Sequence, residues 1–174
     1  MFACGLHSSK EDKVGIYDMS AVVEPSKDFD KKKLKAKLEL GAKSHVHSIL
    51  WEDQEYAEGF KPKELIIGEA EQAVLWDLET GRQKGQIPSD PLGGECFAVK
   101  RDPHHKSVIC IGVEKGFHQV DLRTYASQST QPLAHSDTIT DLDYNPNKLN
   151  TLATCGRDSV LRFWDLRKTD RCLL

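Results

Sequence analysis

The side chains most able to do chemistry are scattered along this chain. His135-Ser136-Asp137 contains the three residue types of a hydrolase triad. Neighbouring residues of an extended chain point in different directions, though, and no G-x-S-x-G turn is present to present a nucleophile. His45-x-His47, His104-His105 and His118 offer imidazoles, yet no pair has zinc-finger or H-E-x-x-H spacing. His45 and His47 share a strand face at period two, but the sequence names no third or fourth ligand. Gly93-Gly94 lies in a Pro-rich linker (Pro88, Pro91) and lacks the Lys-Ser/Thr tail of a phosphate loop. The carboxylates of Glu52-Asp53 have no apolar flank to raise a pKa. The sequence therefore predicts no catalytic residue, no metal site, no cofactor and no small-molecule substrate.

The elements that position these residues repeat. Four segments carry an apolar strand ending in Asp and a further apolar residue: Val14–Met19, Ala73–Leu78, Phe117–Leu122 and Leu161–Leu166. Asp77, Asp121 and Asp165 are 44 residues apart each time, and Asp18 precedes Asp77 by 59. A period of about 40–45 residues with a Trp-Asp step, here Trp76-Asp77 and Trp164-Asp165, is the signature of WD-repeat propeller blades. Between these markers, short runs of alternating or continuous apolar residues predict strands at 46–51, 64–68, 73–77, 83–87, 96–100, 107–112, 116–121, 138–144, 149–155 and 160–164. Turn residues such as Asn145-Pro146-Asn147 and Gly156-Arg157-Asp158 separate them. Residues 31–40 alternate Leu34, Ala36, Leu38 and Leu40 with charges, which predicts a Lys-armed outer strand rather than a helix. The expected class is all-β, an incomplete WD-repeat β-propeller of about three and a half four-stranded blades out of a seven-bladed ring. The expected divisions are a partial blade at 1–43 with a charged loop at 20–33, then blades at 44–90, 91–130 and 131–174. Phe2–Gly5 reads as a second strand and Cys172–Leu174 as the start of a fourth. So few blades leave open faces, which points to a longer polypeptide or to self-association that completes the ring.

Composition narrows the class further. The 174 residues hold 39% hydrophobic and 29% charged side chains, the balance of a folded chain and not of a disordered one. A net charge of -3 gives no global pull toward nucleic acid or an anionic membrane. Apolar runs such as Val108–Ile111 are too short to span a bilayer. Cys4, Cys96, Cys110, Cys155 and Cys172 are widely spaced and odd in number, as in a reducing, cytosolic compartment.

Three stretches carry a more specific likeness: Asp141–Lys148, Leu152–Asp158 and Phe163–Arg167, with Asp102–His105 and Val46–Glu52 in support. They resemble the family of WD-repeat proteins that interact with the EARP and GARP tethering complexes. That resemblance implies a non-enzymatic cytoplasmic scaffold, peripherally associated with the trans-Golgi network and endosomes. Its partners would be tethering-complex subunits, and its processes endosomal recycling, retrograde transport and dense-core vesicle sorting. Likeness to WD repeats in general implies a buried hydrogen-bond tetrad, and His135, Thr154, Asp158 and Trp164 match its four slots. Two alternatives stay open. Trp164-Asp165-Leu166-Arg167 resembles the WDxR box of cullin-RING ubiquitin ligase substrate receptors, in which Arg167, and Arg123 by analogy, would contact the adaptor. Asn145 to Arg167 also resembles histone-binding chaperone propellers. Residues 54–63, 104–106, 114–115 and 145–150 are the expected partner-binding loops.

Overall fold

In the computed structural model the described residues are 2–6, 12–17, 35–52, 62–89 and 92–173. Fourteen strands follow one another: β1 (Phe2–Leu6), β2 (Asp12–Tyr17), β3 (Leu38–Ala42), β4 (Val46–Trp51), β5 (Glu64–Glu69), β6 (Gln72–Asp77), β7 (Arg82–Pro88), β8 (Cys96–Arg101), β9 (Val108–Val113), β10 (Gly116–Asp121), β11 (Ala126–Gln131), β12 (Ile139–Tyr144), β13 (Thr151–Gly156) and β14 (Leu161–Asp165). They pair only with sequence neighbours, giving four antiparallel sheets: β1–β3, β4–β7, β8–β11 and β12–β14. Among the described residues no helix is long and apolar enough to cross a membrane.

The apolar runs form central strands because the inner sheets are covered on both faces. Leu65 and Ile67 of β5 pack toward the first sheet with Val14, Ile16, Leu40, Val74 and Trp76. Ile66 points the other way and joins Val99, Ile109 and Ile111 of the third sheet. One strand thus serves two cores through its period of two. β9 repeats the device: Ile109 and Ile111 face back, while Cys110 faces forward with Phe117, Leu142 and Trp164. The fourth sheet has one covered face. Leu142, Leu152 and Trp164 are buried, whereas Leu161 (56% exposed) and Phe163 (36%) lie on the opposite face.

The repeat extends to irregularities. Each inner strand carries a bulge at the same place, between Val46 and Ser48, Cys96 and Ala98, and Ile139 and Asp141. A bulge leaves one residue unpaired and re-aims its side chain; here these are His47, Phe97 and Thr140. The outer pairs β6–β7 and β10–β11 also shift register at matching sites, Leu75/Trp76 and Gln119/Val120.

Two predicted strands differ from the structure. The outer strand expected over 31–40 begins at Leu38 and runs to Ala42. Its first ladder pair with β2 is Ile16↔Leu38, and Lys37 N–H donates to Ile16 O at 2.7 Å just ahead of it; residues 31–34 of the expected strand lie outside the described residues. Cys172 and Leu173 form no strand; one bond, Leu173 N–H to Phe163 O at 2.7 Å, stands where the outer strand would pair. Leu173 follows Asp165 by the same eight residues that separate Gly85 from Asp77 and Ser129 from Asp121. Gly85 and Ser129 pair with Leu75 and Gln119, the counterparts of Phe163. Asp18, Met19, the charged loop at 20–33, residues 54–61, Pro91 and Leu174 lie outside the described residues.

Candidate functional site

His135 precedes β12, Thr154 sits on β13, Asp158 lies in the turn after β13, and Trp164 is on β14. The structure links them in one chain of hydrogen bonds. Trp164 Nε1–H donates to Thr154 Oγ1 at 2.9 Å, and His135 Nε2 lies 2.8 Å from the same oxygen. His135 Nδ1 is 2.9 Å from Asp158 Oδ1. One tautomer satisfies every member: Nδ1–H donates to the carboxylate, Nε2 accepts from the Thr154 hydroxyl, and that hydroxyl accepts from the indole. His135, Thr154 and Trp164 are 2%, 1% and 3% exposed, so each depends on its protein partner rather than on water.

Asp158 gathers further donors. Ser136 N–H reaches Oδ2 at 3.1 Å, Val160 N–H reaches Oδ1 at 3.2 Å, and Arg162 donates to Oδ2 at 2.9 Å. Burial works to raise its pKa, but the bonds from Arg162, His135, Ser136 and Val160 together hold the carboxyl well below the usual range. Arg162 is the site residue that sequence reasoning missed. Its guanidinium donates to Asp158 Oδ2, on the same carboxylate that His135 Nδ1–H reaches. The repeat frame carried a signal: three residues before each marker Asp stand Val74, His118 and Arg162, so the fourth sheet alone among these three places a permanent cation there.

The second and third sheets do not repeat the arrangement. Leu152 pairs with Trp164 as Leu65 pairs with Trp76, which puts Ile67 and Ile111 in the slot of Thr154. Trp76 is buried and its Nε1 finds no acceptor among the described residues, because Ile67 offers none. Trp76 therefore packs through its ring, and Trp164 through both ring and N–H.

The marker aspartates organise turns. Asp77 Oδ1 accepts from Glu79 N–H and Thr80 N–H at 2.9 and 2.8 Å; Asp121 and Asp165 accept from Arg123 N–H and Arg167 N–H at 2.9 and 3.1 Å. A short carboxylate that bonds its own backbone two residues on fixes a tight turn. Arg123 and Arg167 each close back on this aspartate through Nε, at 3.0 and 2.8 Å, and through a second nitrogen at 2.5 Å. Their side chains stay largely exposed. The bonds from Arg123 lower Asp121 to about 2, and those from Arg167 hold the Asp165 carboxyl well below the usual carboxylate range.

The other candidates are dispersed. His104 Nε2 lies 3.0 Å from Asn145 O, joining two of the expected partner-binding loops across the third and fourth sheets. His105 Nδ1 is 2.9 Å from buried Asp102. Among the described residues no group of three His, Cys, Asp or Glu side chains is arranged to hold a metal ion. A groove of about 590 Å³ runs beside β14, lined by Gln131, His135, Arg162, Trp164, Arg171 and Cys172.

Comparison with known proteins gives this arrangement a family. The family model described as EIPR1 beta-propeller matches residues 6–174. The EARP and GARP complex-interacting protein 1 of Rattus norvegicus is 28% identical over 169 residues, covering 94% of this chain and 39% of its own. The EARP-interacting protein homolog of Gekko japonicus is 30% identical over 132 residues, 72% of this chain and 33% of its own. The EARP-interacting protein 1 of Caenorhabditis elegans is 33% identical over 104 residues, 57% and 28% respectively. The chain thus spans well under half the length of these curated relatives. Fourteen strands in four stacked antiparallel sheets, repeated bulges included, agree with the family match, and the chain belongs to the EIPR1 beta-propeller family.

Proposed function

We propose that this chain is a non-catalytic WD-repeat scaffold whose partners are subunits of the EARP and GARP tethering complexes. In this reading it acts in the cytoplasm at the trans-Golgi network and endosomes, in endosomal recycling, retrograde transport and dense-core vesicle sorting. The observation that carries the reading is the family match over residues 6–174, joined to relatives whose names state that interaction. The chemistry of the described residues agrees with it. The best-connected polar cluster, His135–Thr154–Asp158–Trp164, is occupied in bonding itself, and we assign it to holding the register of the fourth sheet. What remains for function is a rigid stack with loops at its ends, the usual platform of a binding protein.

Affinity purification of the tagged protein from its own cells, with mass spectrometry, tests the proposal. Recovery of subunits common to EARP and GARP supports it. Recovery of cullin adaptors or histones in their place overturns it. An Arg167→Ala variant sharpens the contrast, because loss of an adaptor on that change would assign the exposed guanidinium to a ligase.

A further inference from the structure

Two histidines at the start of β4 face carboxylates from the sheets on either side. His45 Nδ1 lies 3.0 Å from Asp12 Oδ2, at the start of β2 in the first sheet. His47, the residue left unpaired by the β4 bulge, has its Nε2 3.7 Å from Glu95 Oε2, immediately before β8 of the third sheet. The two imidazole rings are 5.4 Å apart, edge to face, and His47 also leans on the Phe97 ring at 5.0 Å. Among the described residues, β1 brings Gly5 and Leu6 to the small cavity of about 100 Å³ beside His45. Opposite Val46 stands buried Glu69 of β5, a third carboxylate at this end of the strand. Among the described residues, carboxylates thus stand near the pair from three sheets: Asp12 of the first, Glu69 of the second and Glu95 ahead of the third.

We propose that His45 and His47 form a proton-sensitive clamp, which ties the second sheet to the first and third more tightly as the pH falls from neutral toward 5.5. Protonation turns the His45–Asp12 contact into an ion pair. It also makes His47 a cation between Glu95 and the face of Phe97. Repulsion between the two rings opposes this, but two carboxylates at shorter or comparable distance outweigh it. His45 is 55% exposed and Glu95 54%, so each link is a surface-strength interaction and salt weakens it.

The test is urea unfolding of the whole chain at pH 7.5 and 5.5, in low and high salt. Wild type is compared with His45→Gln, His47→Gln, the double variant and Asp12→Asn. The expected result is that the folding equilibrium constant of wild type gains roughly two- to tenfold on the double variant over this interval at low salt. Each single variant, and Asp12→Asn, should lose about half of that gain on a logarithmic scale. A double variant with the same pH dependence as wild type overturns the clamp, as does a gain that Asp12→Asn leaves intact. Glutamine keeps a polar side chain at exposed His45 and at half-buried His47, so these variants retain the fold on which the comparison depends.

Discussion

Thr154→Val is the substitution that most directly probes the fourth-sheet chain. Valine keeps the β-branched shape that suits β13 and sets a methyl where the hydroxyl stood, so the change withdraws the hydrogen-bonding group without opening a cavity. That hydroxyl holds Trp164 Nε1 at 2.9 Å and His135 Nε2 at 2.8 Å, and all three residues are buried beyond the reach of bulk water. Each group left unpaired loses about 1–3 kcal/mol, and the two together should lower stability by about 2–4 kcal/mol. For a chain of this size that is a fall of roughly 5–12 °C in Tm. The molecule supplies its own control. Ile67 occupies the same slot in the second sheet and gives Trp76 no acceptor, so Ile67→Val should lose only the about 0.5–1.5 kcal/mol of a methylene. Urea unfolding of both variants, with Trp164→Phe and Thr154→Val/Trp164→Phe, completes a cycle in which the double change should fall short of the sum of the singles. A Thr154→Val loss no larger than that of Ile67→Val would refute the reasoning.

Three further expectations follow from the geometry. Asp121, lowered to about 2, with Asp158 and Asp165 also lowered, binds its proton less readily folded than unfolded. The stability these groups contribute is therefore whole above about pH 4 and is lost as the pH falls through their folded values. Urea midpoints measured from pH 5 down to 2 should drop, and a rise would contradict the assignment. Burial pushes the Cys96 thiol up to about 12 and raises Cys110 as well, so alkylation of the native chain should modify Cys4 and Cys172 and spare these two until unfolding. In Gly116→Ala the new Cβ would lie 2.5 Å from Gln131 O and 2.9 Å from Pro132 O, both backbone atoms. Thermal unfolding should show a loss of about 1–3 kcal/mol, and a neutral outcome would mean that β10 and β11 can separate freely.

Most of the fold is written in local pattern. The spacing of Asp77, Asp121 and Asp165 works as a signal because each aspartate builds the same turn, and a turn fixes where the next strand starts. Continuous apolar runs such as Leu65–Ile67 mark strands covered on both faces, and alternation at Asp141–Tyr144 marks a strand covered on one. The errors came where a strand depends on a distant partner. Leu38 and Leu40 fall in β3 as the alternation has it, while Lys35 to Lys37 stand ahead of the ladder that pairing with β2 sets up. Cys172 and Leu173 are apolar enough for a strand, yet one backbone bond to Phe163 does not make a ladder. At the site, residue types and order pointed to His135, Thr154, Asp158 and Trp164. Arg162 escaped because a charged residue on a strand reads as solvent-facing until the turn that brings Asp158 against it is known. The bulges that aim His47 and Phe97 at each other have no sequence mark of their own, since they arise from pairing between strands.

The role proposed for this chain is that of a propeller scaffold for the EARP and GARP complexes. Its most direct test is binding of the purified chain to each purified complex by interferometry, with circular dichroism confirming a β-rich, cooperatively unfolding sample. Saturable binding to both complexes is expected, weakened when the loop residues His104 to Lys106 and Asn145 to Asn150 are replaced by Gly-Ser and retained in Thr154→Val at temperatures where that variant is folded. A folded chain that binds neither complex would contradict it.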